Sequence, residues 1–228
     1  MAFNIHELDE IEYDGSSETE EALAEYQDSL IEKFIISPEG KKHQKEYSET
    51  GFWIAQLIYY GIGYIGVTIP QMEKSDIVEI VTDLFPKKIS LSSPDDADDA
   101  IPELIAFWNY IAREFKLPNA EKIISYLHEI EPDFKSIMND TSRFGMAKSF
   151  MQIGQSAGFD MTDSKEFKKF TQMYNEGLLS AQQEDPLLGR APLIKKSVST
   201  NYLPSAKRNK KKKARKLKKA SRKKNRKK

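Results

Sequence analysis

The chain has 228 residues and no cysteine, which excludes disulfides, thiolate nucleophiles and zinc–sulfur sites and fits a reducing compartment such as the cytoplasm. Its 35 Lys/Arg match its 35 Asp/Glu, but 16 of the cations fall in residues 207–228, which hold no acid, so residues 1–206 carry 19 cations against 35 acids. An acidic body with an equal and opposite basic end bears on partners rather than on fold.

Residues 1–16 set Phe3, Ile5, Leu8 and Ile11 among acids and read as an acidic mobile arm that docks locally. They lack the basic and apolar segments of a signal peptide. Ser17 reads as a helix cap, with Glu20 completing a capping box. Leu23, Tyr26, Leu30 and Phe34 follow on one helical face. Ser37 and Pro38 end that helix and open another. Residues 51–72 carry no charge. A helix that is apolar all round has no face to give to water, so residues 52–64 read as the central helix.

Ser75 or a neighbour starts the next helix, whose apolar face is Ile77, Ile80, Val81 and Leu84 and which Pro86 closes. A polar loop holds Asp95, Asp96, Asp98 and Asp99. Pro102 then stands near the start of a strongly amphipathic helix with Leu104, Ile105, Trp108, Ile111, Ala112 and Phe115 on one side. Leu117 and Pro118 break it, and Ile123, Ile124, Leu127 and Ile130 mark a helix that Pro132 breaks in turn. Phe144, Ala147, Phe150 and Met151 belong to a helix ending at Gly158, a left-handed cap. Asp163 and Glu166 cap the last helix, with Phe167, Phe170, Met173, Tyr174 and Leu178 on its face. Residues 65–69 are the best strand candidate and are too short to count.

Each apolar face must be buried against another, so the expected fold is all-α: a compact bundle of about six to eight helices around one apolar central helix, with a disordered basic C-terminal tail. The expected organisation is an arm over 1–16, a helical domain over 17–182, a linker over 183–206 punctuated by Pro186, Pro192 and Pro204, and the tail over 207–228. Residues 187–194 read as a docking segment within the linker.

The tail carries the strongest signal. Its cations are Lys207, Arg208, Lys210, Lys211, Lys212, Lys213, Arg215, Lys216, Lys218, Lys219, Arg222, Lys223, Lys224, Arg226, Lys227 and Lys228. Leu217 is its one large apolar side chain, so it cannot bury enough surface to offset the entropy of ordering. Phosphates change the balance, because each one neutralised releases condensed counterion. With no aromatic residue, the tail offers affinity without base stacking or sequence choice. The expected partner is a polyanion, RNA or a ribosome ahead of DNA; in a eukaryote the same run also suits nuclear import. The acidic arm and the aspartate loop are charge-complementary to the tail and suggest an intramolecular gate, with an ordinary solvated acidic surface as the plainer reading.

Other motifs are weaker. Residues 52–69 have the length of a membrane span, but Gln56 and Gly61, Gly63 and Gly66 interrupt it, Pro70 follows, and no membrane partner is expected. The same glycines match a dinucleotide fingerprint, without the strand before or the helix after that it needs. His6, His43 and His128 read as surface histidines, since neither His43 nor His128 has the glutamate three residues before it that a di-iron bundle uses. Trp53, Trp108, Tyr59, Tyr60 and Tyr64 read as core. Residues 143–161 place Arg143, Lys148 and Gln152 on one side of an otherwise ordinary helix. No catalytic, metal or cofactor site is expected. The function read from the sequence is a non-enzymatic binding or adaptor protein whose tail engages nucleic acid and whose helical domain binds a partner or dimerises. The alternative is a helical enzyme or small-ligand-binding protein.

Overall fold

The computed structural model describes residues 3–47 and 49–184, with side chains as far as Gly177; the basic tail, the 187–194 segment and all but the first two residues of the linker lie outside them. The described chain is all-helical, with no strand, and residues 65–69 are not one. It divides into two compact units, one up to Arg143 and one from Phe144.

In the first unit, α1 (Ser17–Ile36) starts one residue earlier than its sequence suggests. Ser16 is the cap, and its hydroxyl accepts from the Thr19 amide. Leu23, Tyr26, Leu30 and Phe34 are all buried. The chain before α1 lies against the helices: Ile5 and Leu8 are buried, and the Tyr26 hydroxyl donates to the Ile5 carbonyl at 3.0 Å. Ser37 caps α2 (Pro38–His43), its hydroxyl accepting from the Gly40 amide at 3.1 Å.

Residues 52–64 are helical, as the sequence suggests: α3 (Phe52–Tyr59) continues into a π-helical turn (Tyr60–Ile65), and the chain reverses at Gly66, whose φ of 77° is left-handed. A Cβ at Gly61 would lie 2.1 Å from Met72 Cε, and one at Gly63 would touch the Tyr13 ring, so these glycines serve close packing rather than phosphate binding.

Proline is handled in two ways. α4 (Lys74–Glu79) is capped by Glu73 and continues as a π-helical stretch (Ile80–Leu84) into α5 (Phe85–Lys88), which contains Pro86. Proline inside a helix frees the carbonyl four residues back and clashes with it. Here the wider turn comes first: Phe85 N–H bonds to Ile80 O, five residues back, and the Thr82 carbonyl accepts from Arg143 Nη1 at 3.1 Å. The helix therefore passes Pro86 instead of stopping at it. After α6 (Ala100–Phe115), α7 (Ala120–Asn139) likewise runs through Pro132, which the sequence suggests as a break. An interior proline costs about 3 kcal/mol. Burial of Phe134 and Met138 beyond it, each worth about 1.5–3 kcal/mol, keeps the last turns in place.

α6 packs on α7, α2 and α3 and carries Ala100, Ile101, Leu104, Phe107, Trp108, Tyr110 and Ile111 into the core. Trp53, Tyr60 and Trp108 are core residues, as their sequence context suggests. No helix among the described residues is long and apolar enough to cross a membrane.

The second unit is small. α8 (Met146–Ser156) and α9 (Ser164–Glu184) close over Phe150, Met161 and Phe170, with Phe159, Phe167 and Tyr174 packed around them. Gly158, at φ 85°, reverses the chain after α8, and Phe159 N–H bonds back to Gly154 O at 3.0 Å. Asp163 caps α9, accepting from the Lys165 and Glu166 amides at 2.9 Å each.

One substitution, made at two helical glycines, should act with opposite sign. A Cβ at Gly40 would lie 2.1 Å from Phe34 O and 2.8 Å from Phe34 C, backbone atoms that cannot swing aside, whereas one at Gly177 meets nothing within 4 Å. Gly40→Ala should lower unfolding stability by about 1–3 kcal/mol although alanine favours helix. Gly177→Ala should raise the stability of the second unit by about 0.5–1 kcal/mol. Urea titrations of the two variants check both signs.

Candidate functional site: an acidic cleft

All sixteen cations expected to bind polyanion lie in residues 207–228, outside the described residues. Within the first unit the chemistry-bearing groups gather in one cleft of about 690 Å³. Glu46, Tyr47 and Glu49 come from the segment after α2, Phe52 and Trp53 from the first turn of α3, and Ser90, Leu91 and Ser92 from the loop after α5. Asp95, Asp96 and Asp98 come from a short 3-10 turn (Pro94–Ala97) and its exit, and Asp99 and Glu103 from the start of α6. Among the described residues, seven carboxylates line the cleft and no Lys or Arg does.

Local chemistry explains each position. Asp96 turns inward on its own loop, accepting from the Ser92 and Ser93 amides at 2.9 and 2.8 Å. Asp99 accepts from Trp53 Nε1 at 2.8 Å, tying the 3-10 exit to α3. Lys135 of α7 bridges Asp95 and Asp98 at 2.6 and 2.8 Å from outside the lining. These hydrogen bonds raise its pKa. The pairs are solvent-exposed and contribute little to stability.

Glu103 is different. It is fully buried, yet it lines the cleft. Gly51, the residue before α3, has φ 111° and no side chain to cap the helix. Glu103 supplies the cap from another helix: its two oxygens accept from the Gly51 amide at 3.1 Å and the Ile54 amide at 2.9 Å. No cation pairs with it among the described residues. Burial pushes its pKa from 4.5 up to about 7, and the charge of Asp99 adds to the rise; backbone hydrogen bonds from Ile54, Gly51 and Trp53 oppose it.

Beside the cleft, His43 corrects the surface reading of the histidines. It is 5% exposed and stacks on the cleft residue Tyr47 at 4.7 Å between ring centroids. Its Nε2 has no hydrogen-bond partner among the described residues. Burial lowers its pKa, while Asp99 and Glu46 act in the opposite direction.

This arrangement concentrates negative potential in a low-dielectric concavity and suits an ammonium or guanidinium group. Phe52, 48% exposed, and Tyr47 give it aromatic walls. No cluster of three or more metal-ligating side chains occurs among the described residues. Ser90 and Ser92 have no histidine beside them in the lining. Residues 143–161 do not converge on a ligand: Arg143 pairs with Asp140 and the Thr82 carbonyl, and Lys148 lies over the Phe144 ring at 3.8 Å. The aspartate loop is visible in the sequence, but Glu46, Glu49 and Glu103 are missed as its companions. Glu103 does leave a trace, since it shares the buried stripe of α6 with Ala100 and Phe107 at helical spacing.

Glu103 should leave a mark on stability against pH. A carboxyl with a higher pKa in the folded than in the unfolded chain stabilises the fold at low pH and loses that contribution as pH rises from about 4.5 to about 7. His43, with a lowered pKa, acts in the opposite sense, its contribution being lost as pH falls below 6.5. The readout is therefore the difference between wild type and Glu103→Gln. Wild type should lose on the order of 2–3 kcal/mol relative to the variant between pH 4.5 and 7.5, measured by urea unfolding. A difference independent of pH would show that Glu103 does not titrate in that range.

No protein-family model matches the chain, and no curated protein or solved structure shows significant similarity to it.

Proposed function

We propose that the chain is a non-enzymatic binding protein whose residues 207–228 engage nucleic acid, RNA or a ribosome ahead of DNA, without sequence specificity, while the helical body binds a protein partner or a second copy. The observation that carries this reading is the segregation of charge: 16 cations in 22 residues with no acid and no aromatic side chain, on a body with 35 acids against 19 cations. Lysines outnumber arginines 12 to 4 there, which favours point-charge contacts with phosphate over bidentate base recognition. The absence of cysteine is consistent with a cytoplasmic setting. In this reading the apolar residues 52–64 form the centre round which the other helices gather, a scaffold rather than a reaction chamber.

A second reading rests on the cleft itself. A volume of about 690 Å³ lies in the range of ligand sites, although its acidic lining is unlike their usual apolar one. A small cation such as a polyamine would be its ligand, and its binding would survive removal of the tail.

A filter-binding titration across salt tests the first reading. With about 8 phosphate contacts, log Kobs should fall with log[salt] at a slope near −6 for single strands and near −7 for duplex. Deleting residues 207–228 should abolish the binding. A flat salt dependence, or unchanged binding by the truncated chain, would overturn the reading.

A further inference from the structure

We infer that the outer face of α9 is a second phosphate-contact surface, on which Lys165, Lys168 and Lys169 hold the backbone of the nucleic acid that residues 207–228 capture; this surface rests on the nucleic-acid reading above and gives the helical body a direct part in it.

Charge is unevenly divided within the body. Residues 1–143 carry 12 Lys/Arg against 29 Asp/Glu, whereas residues 144–184 carry 4 against 5. The first unit therefore repels a phosphate chain, and the second is close to neutral. Three of the four cations of the second unit lie together on α9. At about 100° per residue, Lys165, Lys168, Lys169 and Gln172 share an arc of about 100°. Phe167, Phe170 and Tyr174, on the opposite side of α9, close the core, and the three lysines are exposed.

The nearby acids are engaged elsewhere. Asp163 accepts from the Lys165 and Glu166 amides at 2.9 Å each, and Glu166 accepts from the Asp160 amide at 2.5 Å. Among the described residues none of the three lysines is in an ion pair. Lys169 Nζ lies over the Phe159 ring at 5.9 Å, which limits the freedom its side chain loses when fixed on a phosphate. From Lys165 to Gln172 the face runs about 10 Å along the axis, the length of about three phosphates at about 3.4 Å each along one strand.

Chain order favours nucleic acid as the ligand. Of the described helices α9 stands last in the chain, and 22 residues separate Glu184 from Lys207. A strand held by the tail meets the α9 lysines at an effective concentration in the millimolar range. Point-charge contacts too weak to hold the strand alone then add to its affinity. A membrane surface fits less well. An interfacial helix turns its large apolar side chains to the lipid, and here Phe167, Phe170 and Tyr174 are closed into the core of the unit.

Filter binding of the full-length chain to a single-stranded RNA oligonucleotide across salt checks the surface with three variants. Lys165→Gln, Lys168→Gln, Lys169→Gln should weaken binding about 10-fold or more at about 0.1 M salt, and should reduce the steepness of log Kobs against log[salt] by about 2, at about 0.7 per contact. Lys165→Arg, Lys168→Arg, Lys169→Arg keeps the charge and should bind within about 2-fold of wild type. Lys41→Gln, Lys42→Gln, Lys45→Gln removes the same charge from exposed positions of the first unit and should change affinity less than about 2-fold, with the slope unaltered.

Wild-type affinity and slope in the α9 glutamine variant, or equal losses from the two glutamine variants, would overturn the surface. So would a loss confined to vesicles of phosphatidylserine and phosphatidylcholine, with RNA binding intact. RNA binding that survives deletion of residues 207–228 yet falls with the α9 glutamine variant would keep the surface and overturn the reading of the tail, so the two failures are distinguishable.

Discussion

A carboxylate sealed between two helices holds the first unit in register. Glu103 of α6 satisfies the open amides at the start of α3, a helix whose own leading residue, Gly51, has nothing to offer them. Those amides sit at the positive end of the helix dipole, where an anion is favoured. The cap therefore fixes the angle at which the most apolar segment meets the helix with the most buried side chains. The Trp53 indole, bonded to Asp99 one turn earlier on α6, adds a second tie between the same pair. With this joint made, the aspartate loop, the α3 start and the α2 exit are brought to one place, and the cleft is the hollow left between them.

Much of this could be read from the residue pattern. The periodicity of Leu23, Tyr26, Leu30 and Phe34 marks the buried side of α1, and Leu104, Trp108 and Ile111 do the same for α6. Ser37–Pro38 and Gly158 act as the punctuation their chemistry suggests. Such signals are local: they depend on neighbours three or four places away in the chain. The failures are all non-local. Pro86 and Pro132 look like stops because proline removes a hydrogen bond inside its own helix. Whether that loss ends the helix depends on Arg143, more than fifty residues away, and on the burial of Phe134 and Met138. The charge-free run is helical over residues 52–64, as its pattern suggests, and only the widening of the last turns and the reversal at Gly66 go unrecorded by apolar residues.

The candidate site divides along the same line. Asp95, Asp96, Asp98 and Asp99 are conspicuous as a run. Glu46 and Glu49 are ordinary acids in sequence and join them only through the fold. Glu103 is the instructive case, because a charge at a core position of an amphipathic helix is a local contradiction with a non-local resolution: amides on another element. His43 repeats the lesson. Its sequence neighbours are charged, and nothing among them says that its ring is packed face to face with Tyr47 inside the protein.

The second unit carries a consequence for dynamics. Two helices closed over Phe150, Met161 and Phe170 have a core far below the size that holds a domain firmly shut. Such a hairpin opens locally many times for every global unfolding event of its larger neighbour. Amide hydrogens of α8 and α9 should thus exchange on their own, faster clock. Met161 is buried against Gly154, where a sulfoxide oxygen has no room, so oxidation of the thioether in the opened unit would oppose its reclosing.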